Sequence, residues 1–138
     1  MISRYLEKID NLLIAAEEIE NFHVIRRNVW DTDMETVCFY RYRVHFSDNS
    51  LLEITERIVE ENSKVEIKKY RIHWQDQHGA LIKRWDNAKH HPAIETFPHH
   101  LHSGTESNIL PHEAISGYDA ILLILSEIRE RGKPIQSG

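Results

Sequence analysis

Between Cys38 and Phe46 the chain alternates without a break: Cys38, Tyr40, Tyr42, Val44 and Phe46 interleave with Phe39, Arg41, Arg43 and His45. Successive side chains of a strand point to opposite faces, so this run predicts a strand with one apolar face and one largely cationic face. The polar stretch Ser47-Asp48-Asn49-Ser50 follows, and Leu52, Ile54, Glu56 and Ile58 then resume the same period. A three-residue loop of Asp48, Asn49 and Ser50, with a left-handed residue and a bulge, sets Phe46, Val44, Tyr42 and Tyr40 opposite Leu52, Ile54, Glu56 and Ile58. A two-residue loop scrambles the two apolar sets. The preferred pairing leaves Glu56 as the one carboxylate on an apolar face, beside Tyr42. Such a group is most often paired for structural reasons, and a raised pKa there also suits a general acid or base.

The rest of the chain supplies what that sheet packs against. Leu6, Ile9, Leu12, Leu13, Ala16 and Ile19 recur at three- and four-residue steps, predicting an amphipathic helix over Arg4 to Ile19 with Ser3 as its cap. Val24 to Trp30 reads as a first strand, ended by Asp31-Thr32-Asp33. Glu60-Glu61-Asn62-Ser63 is a polar turn, after which Val65 to Asp76 and Ala80 to Trp85 form a hairpin around Gln77-His78-Gly79. Pairing Gln75 with Ala80 puts Tyr70, Ile72 and Trp74 on one face and Arg71, His73 and Arg84 on the other. From Asp86 to Pro111 periodicity fades, and Trp85, Phe97 and Leu101 are the residues available to anchor a long loop. Ile121, Leu122, Ile124, Leu125 and Ile128 return to helical spacing, giving a C-terminal helix of about Tyr118 to Arg131 with Gly132 as its stop. The expected fold is α+β: an N-terminal helix, an antiparallel meander of about five strands, a His-rich loop, and a C-terminal helix packed on the sheet. At 138 residues, without repeats or a linker, residues 1–138 read as one domain that builds its core without disulfides. Cys38 alone makes no internal disulfide, and no basic-apolar leader or run of about 18 apolar residues is present, so the expected compartment is the cytoplasm and no membrane partner is expected.

Composition matters at one point. Lys and Arg number 17 against 22 Asp and Glu, a formal charge of -5, and there are ten His, so full protonation would turn the charge to +5. Five of the ten, His90, His91, His99, His100 and His102, fall in one short stretch. Residues 64–91 carry seven Lys and Arg against three Asp and Glu, a local +4, while residues 46–63 hold one Arg against five acids, a local -4. A basic hairpin on an acidic molecule attracts phosphates locally, unless it is only a solvated face.

Two chemistries suit the stretch from Arg84 to His102. RNA phosphodiester cleavage needs a base for the 2'-hydroxyl, an acid for the departing 5'-oxygen and a cation for the added negative charge; His and Arg supply all three. The candidate catalytic groups are His73, Arg84, Asp86, His90, His91, His99, His100 and His102, with Glu56 or Asp86 orienting a His. Arg71, Arg84 and Lys89 are the candidate substrate contacts. No cofactor is expected on this reading. The other chemistry is a divalent metal, with two imidazole ligands from His100 and His102 or from the adjacent His pairs and Asp86 or Glu95 as an oxygen ligand, although the spacing matches no strong zinc pattern. The plain reading is that Asp86-Asn87 makes an Asx turn and the His residues cap the loop. A non-catalytic interaction module is the remaining functional alternative.

The run Tyr70-Arg71-Ile72-His73, Asp76, Leu81-Ile82-Lys83-Arg84-Trp85-Asp86-Asn87-Ala88, His90-His91-Pro92 and Thr96-Phe97-Pro98-His99-His100-x-His102 resembles the TumE family of small prokaryotic toxins. The similarity extends back to the strand Leu52 to Glu56, and the later helix has a similar placement. The chain departs from the family pattern at Trp85, where the family has Tyr, and at Lys89, where it has Pro. The resemblance implies the toxin of a type II toxin-antitoxin module, neutralised by a cognate antitoxin that is usually a helix-turn-helix protein. It leaves open a homo-oligomer and the target; RNA as target is an expectation from the His and Arg content.

Overall fold

The computed structural model describes residues 1–132. In chain order the elements are α1 (Ile2–Ala15), β1 (Ile19–Asp31), β2 (Thr36–Phe46), β3 (Leu51–Glu61), β4 (Lys64–Gln75), β5 (Leu81–Asp86), β6 (His100–Ser103), β7 (Ile109–Pro111) and α2 (Gly117–Arg131). The strands form one seven-stranded antiparallel sheet in sequence order. The α+β class is as expected, with two strands more than the five predicted. The additional pair, β6 and β7, lies inside the stretch expected to be loop. Each is only three or four residues long, and β6 alternates His with Leu and Ser rather than with a clean apolar period, so nothing in the sequence marked it.

Both helices lie on one face of this sheet. Ile2, Leu6, Ile9 and Leu13 of α1, and Ala120, Ile121, Ile124, Leu125 and Ile128 of α2, close over Tyr40, Tyr42, Leu52, Ile54, Ile72 and Trp74. At roughly 1.5–3 kcal/mol for each fully buried large apolar side chain, this layer is the main stabilising term of the fold. The helix α1 starts at Ile2 rather than Arg4 and ends at Ala15, because Ala16 turns extended (φ -73, ψ 125), which releases Ile19 to begin β1. Its N-cap is Met1, with no side-chain cap bond, so Ser3 does not cap it. At the other end of the chain α2 follows the expected bounds closely, beginning at Gly117 and ending at Arg131 before Gly132; Ser116, not among the expected caps, caps it by accepting from the Asp119 amide.

The β2–β3 loop has three residues, one step earlier than predicted: Ser47, Asp48 and Asn49, with Phe46 and Ser50 joined by a backbone bond of 3.0 Å. Asp48 Oδ1 accepts from the Ser50 amide and hydroxyl, and Asn49 takes the left-handed conformation (φ 68). The apolar sets still coincide, but the register moves by two, pairing Val44 with Leu52, Tyr42 with Ile54 and Tyr40 with Glu56. Glu56 therefore sits opposite Tyr40, not Tyr42. In the next hairpin Gln75 pairs with Leu81 rather than Ala80, and the predicted division of faces holds.

Candidate functional site

The second face of the sheet carries no helix, and its register explains what collects there. One row runs Arg41, Thr55, Arg71, Asp86, His100 across β2 to β6, each paired with the next. The row beside it runs Arg43, Glu53, His73, Arg84, His102. Each of five strands contributes two residues separated by one, so the pleat turns five short sequence pairs into a two-row polar lattice.

At its β5–β6 end the lattice becomes buried. His100 is 2% exposed and His102 5%, while Asp86 is 6% exposed between them. His100 Nε2 lies 2.9 Å from Asp86 Oδ1, and His102 Nε2 lies 3.7 Å from Oδ2. Arg84 Nε donates to the same Oδ2 at 3.2 Å, and its terminal nitrogens hold Glu106 at 2.6 and 2.7 Å. His91 reaches over from the loop, its ring 4.9 Å from that of His100 and 5.7 Å from that of His102. Ligand atoms of His91, His100 and His102 all lie within 4.8 Å of one another. A cleft of about 370 Å³ opens onto this group, bordered by Lys69, Arg71, Arg84, His90 and His91. It adjoins a groove of about 460 Å³ along the open face, with which it shares Lys69 and Arg71 and which Phe39, Arg41 and Arg57 also line.

Local hydrogen bonds hold the site in place. Asp86 Oδ1 accepts from the Ala88 amide at 3.0 Å, the expected Asx turn, so one carboxylate both ends β5 and faces the imidazoles. Asn87 stands in for a strand residue: Oδ1 accepts from the Tyr70 amide and Nδ2 donates to the Lys68 carbonyl, each at 3.0 Å. These bonds bridge the register shift in β4 after Ile67, opposite Arg57 and Ile58.

Of the predicted residues, the fold brings together Asp86, Arg84, His91, His100, His102, Arg71 and the exposed His90. His73 pairs with Arg84 across the strands but lies outside the cleft; its Nε2 meets Gln75 and its buried Nδ1 has no partner among the described residues. His99 is turned away: its ring stacks on Tyr70 and its Nδ1 lies 2.8 Å from the Tyr70 hydroxyl. Lys89 is exposed and does not line the cleft. Lys69 lines the cleft instead, and its two-residue offset from Arg71 was the available signal. Phe97, expected to anchor the loop, is 41% exposed. Glu56 is separated from the cleft by the sheet itself. Fully buried under the helices, it accepts from the hydroxyls of Tyr5 and Tyr40 and from the Gly117 amide. It does not reach a His of the cleft, whereas Asp86 faces both His100 and His102. Nothing in the sequence pointed to Glu106, which reaches Arg84 from a bend of the β6–β7 connection.

Burial sets the charge preferences. His91 is held below the ordinary imidazole range by desolvation first and then by its neighbours His100 and His102. His73 is lowered by burial and by Arg71 and Arg84, and His99 by burial. The Arg84 guanidinium is favoured as a cation, chiefly by its bonds to Glu106 and with help from Asp86.

Together these features define an α+β protein with an imidazole-carboxylate centre at the end of a cationic groove. Residues 12–132 match the family model described as toxin TumE, and the chain belongs to that family. It is thus a toxin of a toxin-antitoxin module, with a cognate antitoxin as partner. No curated protein and no solved structure gives a significant match. Among the described residues no helix is long and apolar enough to cross a membrane.

Proposed function

We propose that this toxin acts in the cytoplasm by cleaving RNA at the cleft between β4, β5 and the His91 loop, and that its antitoxin is of the helix-turn-helix type. The observation that carries the reading is the open-face lattice, in which a cationic groove ends on buried groups able to accept a proton. Arg57, Lys69 and Arg71 are exposed on that face and none forms a salt bridge among the described residues, which suits a phosphate chain. In the reaction, the 2'-oxygen loses its proton to the centre and attacks phosphorus, and the bond to the 5'-oxygen breaks. The 5'-oxygen leaves with a proton returned by the centre, so the products are a 2',3'-cyclic phosphate and a 5'-hydroxyl. Arg71 and Arg84 offset the charge gained at phosphorus. A non-catalytic interaction module gives no reason to bury two imidazoles against a carboxylate beside a cationic cleft, since such burial costs solvation without a binding return.

The test is incubation of purified protein with total cellular RNA, followed by mapping of the ends. Cleavage with cyclic phosphate ends is expected from the unaltered chain. Arg84→Ala and His100→Ala should each reduce the rate by roughly 100-fold or more, with His78→Ala, in the distant β4–β5 turn, as the control. Intact RNA in every condition, or equal cleavage by all four proteins, sinks the reading.

A further inference from the structure

We propose that His91, His100 and His102, together with Asp86, bind one divalent transition-metal ion of the zinc type. Both β6 imidazoles are oriented as ligands. His100 Nδ1 lies 2.9 Å from the Pro98 carbonyl and His102 Nδ1 lies 2.8 Å from the Glu106 carbonyl. A carbonyl only accepts, so both Nδ1 atoms carry the proton and both rings present Nε2 toward Asp86. Metal-binding imidazoles are held in this way, the outer nitrogen donating to a backbone carbonyl so that the inner lone pair is aimed and made more basic.

The hydrogen bonds of His100 leave one contact unmatched. With Nδ1 committed to Pro98, a neutral His100 turns a bare lone pair toward a carboxylate oxygen at 2.9 Å, two acceptors facing each other. A cation resolves that contact. An imidazolium paired with Asp86 would satisfy the same contact, and the zinc titration tells the two apart.

Distances agree with an ion. Two atoms each about 2.1 Å from one metal stand about 2.9–3.4 Å apart for right-angle to tetrahedral arrangements. The separation of 2.9 Å between His100 Nε2 and Asp86 Oδ1 already meets this; His102 Nε2 lies 3.7 Å from the other carboxylate oxygen, Oδ2. The imidazole separations, none above 4.8 Å, close by at most roughly 1.4 Å on coordination. Three nitrogens and one carboxylate oxygen favour zinc, manganese, cobalt or nickel over the all-oxygen cages of magnesium and calcium. Charge agrees as well: Asp86 and Glu106 outweigh Arg84 by one negative charge, and a divalent ion turns the centre to +1, suited to a phosphodiester. A bound metal would lower the pKa of a coordinated water toward about 7, supplying the base that the cleavage reaction needs. The proposal rests on this cleft being the working site of the toxin, not on RNA being its substrate.

The experiment uses the full chain without a histidine tag. Elemental analysis and titration with zinc alone should give one ion per chain, and cobalt(II) should give visible absorption bands of a nitrogen-rich site. His91→Ala, which leaves β5 and β6 intact, should weaken zinc at least about tenfold and alter the cobalt spectrum; the double variant His100→Ala, His102→Ala should abolish both, with folding checked by circular dichroism. Binding should be unchanged in His78→Ala. Absence of a stoichiometric site in the unaltered chain, or zinc binding by His91→Ala equal to it, overturns the proposal. Stoichiometric metal with intact RNA sinks only the RNA reading. RNA cleavage by metal-free protein in chelator would show that the ion does not supply the base of that reaction.

Discussion

Glu56 illustrates how one residue can look catalytic in sequence and prove architectural. Its carboxyl takes hydroxyl donors from α1 and β2 and an amide donor from the first turn of α2, tying three elements together at one point. Burial still dominates over these bonds and raises its pKa above the ordinary carboxylate value. A raised folded pKa means the folded state binds the proton more tightly than the unfolded chain, so this group stabilises fully below the unfolded pKa of about 4.3 and loses that contribution as pH rises through the folded value. The stability of the unaltered chain relative to Glu56→Gln should therefore increase as pH is lowered from 7 toward about 4.3 and level off below it. Urea unfolding at a series of pH values measures this; a flat or reversed difference refutes it. Asp86 is the converse case. Its position beside Asn87 was legible as an Asx turn, and that assignment is right, yet the same carboxylate also faces two imidazoles. The second role depended on β6, which no local pattern revealed.

Among the elements, those with an uninterrupted period were readable, and those defined by contacts were not. The faces of β2, β3, β4 and β5 follow from alternation, and parity survives a two-residue error in register because the side-chain period is two. Apolar spacing alone carries helix α1 too far, because Ala16 and Ile19 fit it although Ala16 is extended and Ile19 belongs to β1. The start of α2 is governed by something no spacing shows. A Cβ on Gly117 would lie 2.7 Å from Glu56 Oε1, 2.7 Å from the Tyr40 hydroxyl and 3.1 Å from Ile54 Cγ2. Gly117→Ala should therefore cost about 1–3 kcal/mol in urea unfolding, as overpacking of a closed core does; an unchanged midpoint would show that the helix can simply lift. Asn87 makes the corresponding prediction for β4 and β5. Asn87→Ala removes both bonds to the β4 backbone and should cost about 1–2 kcal/mol. Exchange of the Tyr70 amide should quicken while that of Ile72 and Trp74 does not, and equal changes at all three would mean the loss is global.

For the whole molecule, net charge points the wrong way. At -5 the chain should repel RNA, and the segment sums of +4 and -4 hinted only that charge is unevenly spread. The fold resolves the contradiction by face rather than by segment. Glu56 of the acidic stretch is withdrawn into the core and Glu53 is held by Arg41 and Arg43, leaving Arg57, Lys69 and Arg71 exposed along the groove leading to the cleft. If those three cations each neutralise one phosphate, the logarithm of single-stranded RNA affinity should fall with the logarithm of salt at a slope of about -2. Arg71→Gln should reduce that slope by about 0.7 and weaken binding similarly for every sequence, because contacts to phosphate carry no base information. The measurement is fluorescence anisotropy on an unstructured oligonucleotide from low to moderate salt, using a cleavage-resistant backbone to separate binding from chemistry. A slope near zero, or one that Arg71→Gln leaves unchanged, would place RNA elsewhere on the molecule and detach the groove from the cleft.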